Sequence, residues 1–469
     1  MKLTRRTLFL TPALAMAQPQ PEGVTRLKTR ASKDIAASPL GIGFETLDRD
    51  MFDPERTYSH LAELGVKWAR CQTGWAKTEK TKDQFDFAWL DRIVDSLLAI
   101  GIQPWFNLGY GNTLYTPGAA HPSAVGWAPL NSDEARSAWL RYCETIARRY
   151  ATRVKHWEIW NEPNIANFWQ PNKPTGASYV DLVKMTAPVL RKHVPGCTLI
   201  GGAYAGVAAL DYFEECYEAG LLNLVDIISY HPYRAIPEDN YDADMRAFRG
   251  VMDRYKPGMR IWQGENGAPS TLSTTGALRQ FEWDEIRQAK WLLRRVLTDI
   301  AMGVEMTSYF QTVDMQNYIW GSGKTNLTNS KGVLRGGDYT RKPSYYAYRN
   351  ACALFDAETK PAGLLLRVEQ VGGGLDGRAV RTATFVRKGA PVLLYWYPAD
   401  LQKGFEATTC RLLSWSGKAA ALKDPVLVDL LHGEVHPVAD AKWSGGTLAI
   451  PRVPLRDYPV VLTDRSLTA

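Results

Sequence analysis

The 469-residue sequence is sparing with cysteine: six (Cys71, Cys143, Cys197, Cys216, Cys352, Cys410) lie far apart, with no C-x-x-C pair and no histidine-rich companion among seven histidines. That spacing speaks against a disulfide-knit scaffold or a metal centre and predicts mostly buried thiols. No apolar run reaches the roughly 20 residues that a membrane-spanning helix needs. No cluster of Lys or Arg offers a footprint for nucleic acid or an anionic membrane. No G-x-G-x-x-G opens a helix, which counts against a dinucleotide-binding sheet. Internal repeats and low-complexity linkers are missing too.

What is present reads as ordinary globular usage, long enough for one large domain and one small one. Residues 1–17 carry Lys2, Arg5 and Arg6, a short apolar run from Leu8 to Ala17, and the A-x-A pattern Ala15-Met16-Ala17. This is a signal-peptide pattern and predicts a mature N-terminus at Gln18. Thr4-Arg5-Arg6-Thr7-Leu8-Phe9 resembles a twin-arginine export signal. Losing those three cations lowers the formal net charge from +7 to +4. A soluble protein, exported to the periplasm or the medium, is expected, with residues 18–40 as an N-terminal extension.

From 41 to 355 short β-like runs alternate with amphipathic helical patterns, the signature of a parallel α/β architecture. Eight strand candidates are Gly41-Phe44, Val66-Arg70, Ile102-Asn107, Val154-Trp160, Thr198-Ala203, Val225-Tyr230, Arg260-Gly264 and Glu305-Phe310. Between them, Asp86 to Ile100 puts Trp89, Leu90, Ile93, Val94, Leu97 and Leu98 on one helical face, and Gly101 supplies the stop. A further helix is expected after Asn131 as N-cap. Eight such units fit a closed (β/α)8 barrel, an α/β fold. From 356 to 469 the pattern turns to β runs (Thr382-Val386, Val392-Tyr397, Val426-Leu430, Pro459-Leu462), predicting a C-terminal β-sandwich.

In such a barrel the working residues stand at the C-terminal ends of strands. The fourth strand runs into Asn161-Glu162-Pro163-Asn164 and the seventh into Gly264-Glu265-Asn266-Gly267, so each brings a carboxylate to the same rim. With strands about 4.8 Å apart and tilted about 36°, strands three apart face each other across about 14 Å; two glutamates reaching about 4 Å inward leave roughly 6 Å. Retaining glycosidases hold their carboxyls about 5–5.5 Å apart and inverting ones about 6.5–9.5 Å, so the estimate indicates a working pair and leans only slightly to the retaining type.

Glu158 is a rival carboxylate, because the two-residue period puts 158, 160 and 162 on one side. It should lie about 13 Å lower, in the packed lumen, in a hydrogen-bonded structural role. Arg70 ends the second strand and His231 the sixth. Together they are expected to keep Glu265 ionised, while Glu162, without such partners, keeps the higher pKa of an acid.

Trp160-Asn161-Glu162-Pro163-Asn164, His231-Pro232-Tyr233, Arg70 and Glu265 together resemble the pattern shared by clan A glycoside hydrolases. Phe87-Ala88-Trp89-Leu90-Asp91-Arg92-Ile93-Val94 and Ser229-Tyr230-His231-Pro232-Tyr233 are most similar to family 39, which includes β-xylosidases and iduronidases and likewise joins a barrel to a β-sandwich. The resemblance covers the whole barrel, although Gly264-Glu265-Asn266-Gly267 differs from the Glu-Trp-Asn usual in that family. It implies a retaining β-glycosidase with a carbohydrate substrate and no metal or organic cofactor. Glu265 would be the nucleophile and Glu162 the acid/base. Asn161 would bind the sugar 2-hydroxyl, Tyr233 would touch the nucleophile, and Arg70 and His231 would orient it.

Of the rim aromatics Trp75, Tyr110, Tyr115, Trp127, Trp169 and Trp320, the resemblance favours Trp320 as a sugar platform, with Tyr309 or Phe310 as alternatives. An endo-acting glycanase, a transglycosylase and a non-catalytic carbohydrate-binding barrel share these residues. No oligomeric state is implied.

Overall fold

The structure is a computed structural model that describes residues 23–318, 323–371, 375–415, 422–438, 440–444 and 447–469. The export pattern of residues 1–17 and Trp320 lie outside the described residues.

Eight parallel strands close into a barrel: β1 Leu40–Gly43, β2 Trp68–Gln72, β3 Gln103–Leu108, β4 His156–Ile159, β5 Thr198–Ala205, β6 Ile227–His231, β7 Arg260–Gln263 and β8 Met306–Tyr309. Closure is direct, since β1 pairs with β8 through Leu40–Thr307 and Ile42–Tyr309. All eight runs anticipated from hydrophobic pattern are strands, because parallel strands covered on both faces read as short continuous apolar runs.

The helix expected at Asp86–Ile100 spans Ala88–Ala99, burying Leu90, Ile93, Val94 and Leu97. The next begins at Asp133, and its cap corrects the sequence reading. Ser132, not Asn131, accepts from the Ala135 amide at 3.0 Å, because a capping oxygen must sit immediately before the first helical residue. All six cysteines are buried and unpaired.

The C-terminal region packs two antiparallel sheets. One is ordered Thr25–Arg26, Glu434–Pro437, Pro425–Asp429, Val460–Asp464, Ala390–Trp396, Arg381–Arg387, Lys360–Pro361. The other is ordered Leu365–Val371, Thr408–Trp415, Thr447–Leu455, Lys442–Ser444. Residues 25 and 26, in the stretch read as an extension, thus form an edge strand of the first sheet by pairing with Val435 and Glu434.

The strand Ala390–Trp396 shows how this region is joined to the barrel. Leu393 and Tyr395 point into the core between the sheets, while Val392, Leu394 and Trp396 join the large core that continues among the barrel helices. Being buried on both faces, it reads as an unbroken apolar run.

Candidate active site

Strand β4 stops at Ile159, and the next residues leave the pleat: Trp160 and Glu162 have left-handed φ values of +70° and +46°. The expected shared face for 158, 160 and 162 therefore does not persist. Trp160 turns outward to pack against Tyr110, Trp139 and Trp169, and its indole donates to Phe168 O at 2.7 Å. The bend is fastened by Asn107 Nδ2 donating to Trp160 O at 2.6 Å and Glu162 N to Ala203 O at 2.9 Å. Left-handed non-glycine residues are costly and persist where surrounding bonds hold them.

Arg70, fully buried at the end of β2, is the hub beneath the rim. Its Nε donates to Glu158 Oε2 at 2.7 Å, Nη2 to Asn161 Oδ1 at 2.8 Å, and Nη1 to Glu265 Oε2 at 2.9 Å and Glu45 Oε1 at 3.2 Å. Glu158 also accepts from Asn107 Nδ2 at 3.0 Å and Ser229 Oγ at 2.5 Å. Burial raises a carboxyl's pKa, but for Glu158 the Arg70 cation and these donors outweigh it and hold the group below its usual range. Its bonds match the structural role expected. Through Arg70, however, it is joined to the rim rather than isolated below it.

Glu45, two residues past β1, was missed by the sequence reading although the same strand-end rule points to it. Burial, opposed by Arg70 and reinforced by Glu265, pushes its carboxyl up to about 8, and its Oε2 is buried without a partner. Asn107 and Ser229 also carry bonds here that their sequence context did not flag.

Glu162 and Glu265 meet across the lumen. One oxygen of each and one ring nitrogen of His231 all lie within 4.8 Å of one another. Tyr233 donates to Glu265 Oε1 at 2.7 Å. The expected partnership of His231 with Glu265 needs correction: Nδ1 is 2.9 Å from Glu162 Oε1 and 4.0 Å from Glu265 Oε2. Burial pulls the imidazole down to about 4, so at neutral pH it is uncharged and serves as a hydrogen-bond partner, not a second cation. Glu162 is therefore not without partners. Burial, opposed by Arg70, raises it to about 7. Gly264 makes room for the imidazole, since a Cβ there would sit 3.1 Å from His231 Nε2.

Among the described residues, Glu162, His231 and Glu265 are the set whose donor atoms could share a metal ion. A cation already stands there, with Arg70 Nη1 2.9 Å from Glu265.

The carboxylates open into a cavity of about 1090 Å³. Every strand-to-helix connection contributes to its wall, from Thr46 and Arg49 after β1 and Gln72 at the end of β2 to Phe310, Tyr318 and Lys331 after β8. Asn161, His231 and Tyr233 line it as expected. Of the rim aromatics, Tyr110 lines the cavity, whereas Trp75, Tyr115 and Trp169 belong to the core, where Trp75 stacks on Tyr115 and Tyr142. Tyr309 is wholly buried; Phe310 reaches the cavity.

The glycosyl hydrolases family 39 model matches residues 57–250, a span that includes Arg70, Glu162 and His231. A β-xylosidase from Geobacillus stearothermophilus is 29% identical over 168 residues, covering 32% of this chain and 31% of that protein, so the match spans about a third of the relative's length. Among solved structures, a family 39 glycoside hydrolase from the gut symbiont Bacteroides cellulosilyticus WH2 shares the fold with a TM-score of 0.66 at 19% identity, covering 94% of this chain and 83% of that chain. A monomeric β-xylosidase from Caulobacter crescentus CB15 gives a TM-score of 0.60 at 16% identity, covering 93% of this chain and 97% of that chain. Among the described residues no helix is long and apolar enough to cross a membrane.

Proposed function

We propose that this chain is a clan A glycoside hydrolase like those of family 39, a retaining β-glycosidase with Glu265 as nucleophile and Glu162 as acid/base. The observation that carries the retaining assignment is the approach of Glu162 and Glu265 oxygens to within 4.8 Å. That approach favours the roughly 5–5.5 Å carboxyl separation of a retaining pair over the about 6.5–9.5 Å of an inverting one.

The geometry divides the labour. Tyr233 and Arg70 donate to the two oxygens of Glu265 and aim it at the anomeric carbon. Glu162, with its pKa lifted to about 7, still carries its proton in mildly acidic solution and gives it to the departing glycosidic oxygen. After the glycosyl-enzyme forms, Glu162 takes a proton from water, which attacks the same carbon, and configuration is retained. The neutral His231, 2.9 Å from Glu162, fixes the carboxyl that makes both transfers.

Azide rescue tests the roles separately. Glu265→Ala should abolish turnover of every glycoside, and azide should restore it with inverted product. Glu162→Ala should slow substrates with poor leaving groups by about 10²–10⁴-fold while sparing activated aryl glycosides in the first step. Azide should then give a product of retained configuration. Exchange of the two stereochemical outcomes would reverse the assignment.

A further inference from the structure

The cavity's charges are unevenly matched. Its lining includes Arg49, Arg234, Arg279, Lys324 and Lys331 against three acids: Glu162, Glu265 and Asp244. Arg234 is paired with Asp244, and Arg49 stands 3.4 Å from Asp48 and donates to Gln72 at 2.7 Å. Lys324, Lys331 and Arg279 are different: among the described residues, no carboxylate lies within 4.0 Å of a charged nitrogen of any of them, and Lys331 and Arg279 stand together.

Lys331 is 1% exposed, and Asn329 Oδ1, at 3.3 Å, is the hydrogen-bond acceptor that its ammonium has among the described residues. An ammonium has three protons to donate, and burying one without a counter-charge is costly. Burial and Arg279, against the pull of Glu265, bring it down to about 7, so that a bound anion would fix the proton.

The placement is specific. Lys331 Nζ lies 5.8 Å from the ring centre of Tyr233, whose hydroxyl holds Glu265. It also abuts Gly276, which has φ +88° and where a Cβ would come within 2.7 Å of the nitrogen. Arg279 Nη1 donates to the carbonyl of that same glycine at 3.2 Å. The two cations thus flank one turn on the nucleophile's side of the cavity.

We propose that Lys331 and Arg279 receive an anionic substituent, a carboxylate or a sulfate or phosphate ester, on the sugar whose anomeric carbon meets Glu265. Acidic glycosides are then the preferred substrates over neutral ones. The proposal rests on the reading of the cavity as a glycoside-cleaving site.

The test compares nitrophenyl β-D-glucuronide and nitrophenyl 6-sulfo-β-D-glucoside with nitrophenyl β-D-xyloside and β-D-glucoside on the full chain. One acidic arm should exceed both neutral substrates in kcat/KM by at least about 10-fold, and which arm does so identifies the anion. Lys331→Met should lower kcat/KM on that acidic substrate by about 10- to 100-fold and on neutral ones by less than about 3-fold. Because Lys331 is buried and its variant is at risk of misfolding, Arg279→Ala, at an exposed position, should lower the acidic rate selectively in the same direction. Preference for neutral glycosides, or equal loss on both kinds in both variants, would overturn the anion site while leaving the hydrolase reading intact.

Should none of the four be turned over, calorimetry decides the anion site independently of the hydrolase reading. D-glucuronate or glucose 6-sulfate binding more tightly than glucose, with the difference lost in Arg279→Ala, supports it; binding no tighter than glucose overturns it.

Discussion

Two buried clusters in this molecule are built from the same parts and differ in one ratio. At the seam between barrel and sheets, Arg294 forks onto the two oxygens of Glu238 at 2.9 and 2.5 Å, Trp396 Nε1 adds a third bond at 2.7 Å, and the third guanidinium nitrogen donates to Ala399 O. Beside it, Arg295 pairs with Asp299, which also accepts from Tyr241 and Thr307. Each arginine there has one carboxylate. At the rim Arg70 is shared by three, Glu45, Glu158 and Glu265, and polar atoms are left over: Glu45 Oε2, Asn107 Oδ1 and His231 Nε2 are buried without partners.

Matched charge makes a joint, and surplus carboxylate makes acids with displaced pKa values. Accordingly, Arg294 outweighs burial and holds Glu238 below the usual range; at the rim Arg70 does the same for Glu158, while burial lifts Glu45 and Glu162.

The largest expected effect breaks the joint. Arg294→Ala strands Glu238 without a counter-charge and should cost about 3–5 kcal/mol of stability by denaturant unfolding, while the folded fraction keeps its turnover. A loss of turnover without loss of stability would mean the seam is part of the site.

A smaller effect, of opposite sign, is expected at the rim. As pH rises from the ordinary carboxyl value, the unfolded chain ionises Glu45 first, whereas the folded protein holds the proton until about pH 8. The folded state therefore binds more protons in that window, and stability falls with pH across it. Glu45→Gln, which can still accept from Arg70, should raise the melting temperature at pH 8 and change little at pH 4. Destabilisation at pH 8 would show instead that the ionised acid is a working partner of Arg70.

The smallest effect concerns Glu162, whose proton is lost near pH 7. The alkaline limb of kcat/KM should fall there for glycosides with poor leaving groups and be shallower for activated ones. A limb unmoved by Glu162→Gln would assign it to another group.

The seam and the rim were also unequally legible in sequence. The eight barrel strands and the two carboxylates that end β4 and β7 could be read directly, because burial on both faces leaves apolar runs and strand ends leave polar residues after them. Thr447–Leu455 could not: Pro451 and Pro454 interrupt it, and it tolerates them because its ladder with Thr408–Trp415 shifts register between Cys410–Val453 and Leu412–Ile450. The left-handed turn at Trp160 and Glu162, the pairing of His231 with Glu162, and the third claim on Arg70 by Glu45 all depend on contacts between distant residues, which neither period nor propensity encodes. Lys331, inside the long connection after β8, had no local signal at all.

The proposed mechanism turns on a covalent bond from Glu265 to the sugar. Incubation with an activated 2-deoxy-2-fluoro glycoside of the preferred sugar, followed by peptide mass spectrometry, tests it most directly. Stoichiometric inactivation is expected, with a single labelled peptide carrying the sugar on Glu265. A label on Glu162 or Glu45, or full turnover to a product of inverted configuration with no label, would contradict it.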